Sequence, residues 1–95
     1  MGEEGAKLQA AFLANARKYG VRVFGPNCQG IINTDPALKA YCNFTFTYPE
    51  PGSVSVVALS GGVGALLMQG LFDLGVGMRM YASNGNACDV SIPEI

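Results

Sequence analysis

Histidine is absent from this chain and charged residues are few, and both shortages limit the chemistry available to it. A catalytic serine almost always needs a histidine as its base, and histidine is a common zinc ligand. The sequence therefore argues against a serine hydrolase and a zinc site, and we expect no bound metal. Only 14% of the residues are charged and the net charge is −1, which gives no reason to expect nucleic acid or an anionic membrane as a partner.

Cysteine is scarce as well: Cys28, Cys42 and Cys88 are three in number and form no Cys-x-x-Cys pair. Such spacing favours reduced thiols in a cytosol-like compartment. No secretory signal is visible, because the first residues are acidic and poor in apolar side chains. The apolar runs also fall short of the ~20 residues that a membrane span needs. We therefore expect a cytoplasmic location and no membrane partner.

Apolar residues and glycine, in contrast, are abundant: 49% of the 95 residues are hydrophobic and 13 are glycine. Helix-like and strand-like segments alternate, which predicts an α/β fold of parallel strands joined by right-handed crossovers. The predicted helices cover residues 3–19 and 62–74, with stops at Gly20 and Gly75, and the predicted strands cover 21–24, 31–33, 53–59 and 77–82.

The segments between and after these elements bear on domain organisation. Residues 34–52 contain several proline turn signals and no periodicity, which predicts an irregular connector between two domains. Residues 89–95 are expected to begin one more helix, capped by Asp89 or Ser91. The chain starts with a helix and a strand that lack partners and stops before that helix could be completed. We therefore expect a fragment of a longer protein.

The turn Ser60-Gly61-Gly62 stands between a predicted strand and a predicted helix. Backbone N–H groups at a helix start lack intrahelical partners and attract anions, above all phosphate. The same residues are also consistent with a plain strand-to-helix turn capped by Ser60. A nucleophile elbow is disfavoured because there is no histidine. The dinucleotide-binding pattern has Leu67 in place of its third glycine, and the Walker A pattern lacks its lysine.

Four motifs in sequence order carry a resemblance to a known family. They are GPNCQG at residues 25–30, VVALSGG at 56–62, LGVG at 74–77 and SNGNACDV at 83–90. Together they resemble the nucleoside-diphosphate-forming (NDP-forming) acyl-CoA synthetases and the α subunit of succinyl-CoA synthetase. The resemblance implies a Rossmann-like CoA-binding domain followed by a flavodoxin-like ligase domain, both three-layer α/β folds. Residues 3–33 are then the end of the first domain, 34–52 the connector and 53–95 the start of the second.

The resemblance also implies a reaction. An acid, CoA and a nucleoside triphosphate give acyl-CoA, NDP and phosphate, through an acyl phosphate and a phosphohistidine that lies outside this chain. CoA and the nucleotide with its Mg²⁺ are then substrates rather than tightly bound cofactors, and this chain alone is expected to be inactive. Expected partners are the small acid, CoA, and the remaining domains or a β-like subunit. Self-association is a further expectation.

The implied site contains no catalytic residue of this chain. Ser60, Gly61 and Gly62 are expected to contact the phosphoryl group. The CoA and active-site cleft is expected to be lined by Asn27, Cys28, Asn84, Gly85 and Asn86. One departure is Ala58, which stands where the family has the first serine of its S-x-S-G motif, so that one hydroxyl is missing. The alternative function is a non-catalytic CoA-binding, phosphate-binding or assembly module.

Overall fold

A four-stranded sheet with one helix packed on it forms the centre of the molecule, as described by a computed structural model for residues 2–45 and 47–95. The elements in chain order are α1 (Gly2–Lys18), β1 (Gly30–Asn33), β2 (Ala40–Asn43), β3 (Pro51–Ala58), α2 (Gly61–Asp73) and β4 (Met78–Ser83), and a short 3₁₀ turn follows at Ile92–Glu94. Both predicted helices are confirmed. Each ends as expected, since Gly20 and Gly75 have φ values of +68° and +73°, in the left-handed region that glycine tolerates.

The sheet is mixed, with the strand order β2-β1-β4-β3. β3 and β4 run parallel and α2 connects them, so the predicted strand–helix–strand unit and the α/β class are both confirmed. β1, however, pairs antiparallel with both β2 and β4. The expectation of parallel strands throughout is therefore wrong, because residues 34–39 are too few for a crossover and form a hairpin turn instead. In that turn the Asp35 carboxylate accepts the Ala37 N–H at 2.9 Å.

Two further expectations about strands are also wrong. Residues 40–43, expected to be irregular, form β2, and the hydrogen bonds that stabilise it come from its pairing with β1 rather than from local sequence. Residues 21–24, expected to be a strand, join no sheet among the described residues. They are held by a loop instead: the Asp89 carboxylate accepts the Val23 N–H at 2.9 Å, and the Val90 N–H donates to the Val23 carbonyl at 3.2 Å.

The expected helix start near residue 90 is present as the 3₁₀ turn, which is preceded by Ser91, one of the two predicted caps. The Ser91 N–H donates to the Glu94 carboxylate at 2.8 Å and fixes this turn. The division into two domains at residues 34–52 stays a prediction. β1, which precedes that predicted boundary, shares a sheet with β4, which follows it.

The hydrophobic core lies between α2 and the sheet. Ile32, Met68, Met78 and Tyr81 are buried against one another there. α1, in contrast, contains no buried residue. Within residues 2–45 and 47–95, no helix has both the length and the hydropathy that crossing a membrane requires.

Candidate functional site

Three loops meet at one edge of the sheet. Because β3 and β4 are parallel, the turn that leads from β3 into α2 and the loop after β4 both lie at their C-terminal edge. The loop of residues 25–30 lies at the same edge. Because β1 is antiparallel to β4, the first residue of β1, Gly30, lies opposite the last residue of β4, Ser83. The mixed sheet thus brings together the three sequence motifs that carry the predicted site residues.

The loop after β4 is hydrogen-bonded to both of the other loops. Its backbone N–H groups donate to carbonyl oxygens in both of them, at 2.8 to 3.1 Å, in the pairs Asn84 to Ala58, Gly85 to Leu59, Asn86 to Pro26 and Cys88 to Gly25. Since each of these bonds joins residues far apart in sequence, the relative position of the three loops is set by backbone contacts. The geometry of the site therefore depends on main-chain groups more than on side chains.

Gly85 is the point where these loops approach most closely. Its φ is +53°, and a Cβ placed there would overlap the backbone carbonyl oxygens of Pro26 and Asn27. Backbone atoms cannot rotate out of the way as the end of a flexible side chain can. Only glycine fits this position without moving one loop away from another.

The three loops enclose a cleft with a volume of about 400 Å³. It is lined by Asn27, Leu59, Ser60, Gly61, Gly85 and Asn86. Five of these were predicted from sequence as site residues, so the structure places most of the expected set around one opening. Across the cleft mouth, the Asn27 side-chain amide lies 3.4 Å from the Asn86 side-chain oxygen.

The remaining predicted residues lie in two different places. Cys28 and Gly62 line a neighbouring cavity of about 230 Å³, which shares Asn27 and Gly61 with the cleft. Asn84 departs from the expectation, because its side chain is fully buried and is not part of the cleft wall. Its Nδ2 donates to the Val90 carbonyl at 3.4 Å and so supports the loop from behind.

The start of α2 presents backbone donors to both cavities. Ser60 caps the helix in an extended conformation, and its Oγ accepts the Val63 N–H at 3.4 Å. The N–H groups of Gly61 and Gly62 donate to no acceptor in the described part of the chain. No lysine or arginine is among the residues that line either cavity. The groups at this position that could attract an anion are therefore backbone amides and the helix dipole.

Gln29 and Tyr81 were not singled out from the sequence, although they contact this helix start. The Tyr81 hydroxyl donates to Gln29 Oε1 at 2.9 Å and lies 3.5 Å from the Gly61 carbonyl oxygen. Burial raises the pKa of Tyr81 above its usual value, so the phenol stays protonated and remains a donor. The available signal was a tyrosine in the strand predicted at residues 77–82, since a tyrosine hydroxyl that becomes buried needs a partner.

Ionic contacts fix the segment that follows the site. The Arg22 guanidinium donates to Asp89 at 3.0 Å and to Glu94 at 3.1 Å. The hydrogen bond from Arg22, followed by that from the Val23 N–H, holds the pKa of Asp89 below its usual value. The Ser91 N–H, followed by Arg22, does the same for the pKa of Glu94. These contacts attach residues 89–95 to the segment that leads into the first loop.

No protein-family model matches the sequence, but individual proteins do. Acetate–CoA ligase (ADP-forming) II subunit alpha of Pyrococcus furiosus is 35% identical over 95 residues, which are 99% of this chain and 20% of that protein. Subunit alpha of ligase I from the same organism is 36% identical over 100% of this chain and 20% of that protein. The 4-hydroxybutyrate–CoA ligase (ADP-forming) of Nitrosopumilus maritimus is 34% identical over 98% of this chain and 13% of that protein.

Solved structures show the same relationship. PH0766 from Pyrococcus horikoshii OT3 has a TM-score of 0.88 and 34% identity, and the match covers 98% of this chain and 21% of that one. The dinucleotide-forming acetyl-coenzyme A synthetase 1 of Ca. Korarchaeum cryptofilum has a TM-score of 0.84 and 26% identity, over 93% of this chain and 19% of that one. Another structure of that synthetase is a complex with phosphate and ADP.

Sequence and fold therefore agree along nearly the whole chain. The chain spans about one fifth of the length of the acetate–CoA ligase α subunits that it matches. Three of the four motifs identified in the sequence, at residues 25–30, 56–62 and 83–90, form the site, and the fourth, at 74–77, connects α2 to β4 at the opposite edge of the sheet. By sequence and by fold, this chain belongs to the family of NDP-forming acyl-CoA synthetases.

Proposed function

We propose that this chain is part of an acyl-CoA ligase, which forms acyl-CoA, NDP and phosphate from an acid, CoA and a nucleoside triphosphate. Its contribution is the phosphoryl-binding turn Ser60–Gly62 and one wall of the CoA cleft. The observation that carries the proposal concerns the amides of Gly61 and Gly62. They donate to no acceptor among the described residues, and the two glycines line the cleft and the neighbouring cavity between three family motifs. The reaction class is supported by the names of the relatives, which are ADP-forming CoA ligases.

The chemical task of the turn is to receive a phosphoryl group. The N–H groups of Gly61 and Gly62 donate to phosphoryl oxygens, and the dipole of α2 adds partial positive charge at the same place. Ser60 Oγ accepts the Val63 N–H at 3.4 Å, which leaves the hydroxyl hydrogen available for a phosphoryl oxygen. Because these donors are already in position, no reorganisation is needed when negative charge develops during transfer. The phosphohistidine that presents the group comes from outside this chain.

The opposite side of the cleft is assigned to CoA. Asn27 and Asn86 place their side-chain amides at the cleft mouth, where they can contact the polar pantetheine arm. Cys28 lies in the neighbouring cavity, close to where the CoA thiol would react. Among the described residues, no three acidic, cysteine or histidine side chains converge as a metal site. Since two of the relatives are named as α subunits, a partner subunit is part of the proposal.

A matched pair of variants tests the role of the Gly61 amide. Gly61→Pro removes the N–H group, and proline is favoured at the first helical position. Ser60 has a ψ of 124°, the extended conformation that a residue before proline prefers. Gly61→Ala keeps the N–H group and serves as the control. In both variants the atoms nearest to the new Cβ belong to the flexible Gln29 side chain, whose Cγ is 2.9 Å away.

The assay is ADP formation that depends on acid, CoA and ATP, with acetate and 4-hydroxybutyrate as acids. It uses the protein that carries these residues at its natural length, together with its partner subunit. Losing one preorganised donor to a developing charge lowers kcat roughly 100-fold, so Gly61→Pro is expected to lose activity on this scale. Gly61→Ala adds the same Cβ but keeps the N–H group, so it is expected to lose much less activity than Gly61→Pro. Equal activity in the two variants would contradict the role of the amide. Phosphate binding by a wild-type protein without turnover would favour the non-catalytic phosphate-binding module.

A further inference from the structure

Tyr81 forms a buried polar contact next to the proposed phosphoryl site. It lies in β4 beneath α2, with only 1% of its surface exposed, and its hydroxyl is the one polar atom of its side chain. That hydroxyl donates to Gln29 Oε1 at 2.9 Å, across to the loop of residues 25–30. A hydroxyl carried this deep into an apolar core is costly unless it is hydrogen-bonded, so Gln29 meets a requirement of the core.

The first turn of α2 rests on these two side chains. A Cβ at Gly64 would lie 2.5 Å from the Tyr81 hydroxyl oxygen, and a Cβ at Gly61 would lie 2.9 Å from Gln29 Cγ. Both glycines therefore let the helix approach the Gln29–Tyr81 pair as closely as its backbone permits. Gln29 is also held from its own main chain, since its N–H donates to the buried Ser83 Oγ at 3.4 Å. The pair is fixed at the sheet, at the loop and at the helix.

We propose that the hydrogen bond between Gln29 and Tyr81 positions the start of α2, so that the amides of Gly61 and Gly62 point at the phosphoryl group. Gln29 and Tyr81 are then positioning residues of the ligase reaction and do not touch the substrate. This inference rests on the proposed function. Displacements of about 1 Å in a reacting geometry lower rates by up to roughly 100-fold, so a contact of this kind affects turnover.

Three variants separate positioning from stability. Tyr81→Phe removes the hydroxyl and keeps the ring. Gln29→Met keeps the length of the side chain but removes the acceptor. Tyr81→Phe removes the donor to Gln29, and Gln29→Met leaves the Tyr81 hydroxyl with only the long contact to the Gly61 carbonyl oxygen, at 3.5 Å, so each is expected to lower the melting temperature. The double variant removes both polar groups and is expected to recover most of that loss, because replacing both partners by apolar groups is nearly neutral.

Activity is expected to follow a different pattern from stability. In both single variants kcat for acid-, CoA- and ATP-dependent ADP formation falls about tenfold, while the KM for CoA changes less than twofold. In the double variant kcat stays low although the melting temperature recovers. The amide ¹⁵N chemical shifts of Gly61 and Gly62 change in all three variants. Tyr19→Phe is the control, since Tyr19 is 73% exposed and directly follows α1, and it is expected to match wild type in every measurement.

The possible failures are distinguishable. If the wild-type protein forms no ADP from acid, CoA and ATP, the proposed function fails and this inference fails with it. If the wild-type protein is active and the single variants keep its kcat and its Gly61 and Gly62 shifts, the positioning role alone is overturned. Recovery of kcat together with stability in the double variant also overturns it, because the contact would then be structural only.

Discussion

The substitution Gly85→Ala tests whether backbone contacts hold the three loops of the site together. Gly85 has a φ of +53°, and its missing Cβ would overlap the carbonyl oxygens of Pro26 and Asn27. The new methyl group must therefore separate the loop after β4 from the loop of residues 25–30. The hydrogen bond from the Asn86 N–H to the Pro26 carbonyl, 2.8 Å long, lies directly beside this contact.

The size of the effect is worked from two contributions. A non-glycine residue in the left-handed region costs roughly 1 kcal/mol. Moving the loops apart also weakens the hydrogen bonds made by the Gly85 and Asn86 amides, which contribute roughly 1 kcal/mol each. We expect the free energy of opening this loop to fall by about 3 kcal/mol. Gly75→Ala is the matched control, because Gly75 has a φ of +73° and no atom lies within 4 Å of its added Cβ. Gly75→Ala therefore includes the cost of a left-handed backbone conformation but not the steric overlap.

Native-state hydrogen exchange of the complete protein measures this difference locally. A loss of about 3 kcal/mol speeds the exchange of the Gly85, Asn86 and Cys88 amides roughly 100-fold. In Gly75→Ala those three amides are expected to exchange at the wild-type rate, with faster exchange confined to the end of α2. Equal exchange in the two variants at Gly85, Asn86 and Cys88 would show that the loops are not held by the close approach at Gly85.

Two further predictions concern the helix contact and the ionic contacts. Gly64→Ala is expected to destabilise the protein by about 1–3 kcal/mol, because the new methyl group overlaps the Tyr81 hydroxyl. The better helix propensity of alanine offsets only part of this loss. An unfolding midpoint at or above that of wild type would refute the prediction. Because Arg22 lowers the pKa of Asp89, the contact stabilises the fold at pH values above the usual carboxyl pKa and is lost as pH falls through the lowered one. An NMR titration of Asp89 is expected to show a midpoint below the usual value that returns toward it in Arg22→Gln; an unchanged midpoint would refute the assignment to Arg22.

Local sequence signals were sufficient to predict the elements whose structure depends on residues that are close in sequence. The ends of both helices followed from Gly20 and Gly75, because a left-handed residue after a helix is a local requirement that glycine meets. The unit of β3, α2 and β4 followed from apolar periodicity and short turns. The cleft followed in large part from these elements, because parallel strands bring the residues at their C-terminal ends together.

Expectations failed where structure depends on distant pairing. β2 has little strand character of its own and forms because β1 is available beside it. Residues 21–24 have the composition of a strand, but the atoms that bond to Val23 belong to residues 89 and 90. Asn84 follows a strand as site residues often do, yet the direction of its side chain depends on the contact with the Val90 carbonyl. None of these three outcomes is encoded within a short window of sequence.

The scarcity of charge and the abundance of glycine have a common explanation at this site. In the proposed function, an anion site made of backbone amides needs loops that approach within hydrogen-bond distance, and such an approach excludes a side chain at Gly85. Fixed amides favour the geometry in which their donors align with the developing charge. In the proposed function, the turn accepts a phosphoryl group and returns it, and neutral donors held by close backbone packing supply that alignment without a basic side chain.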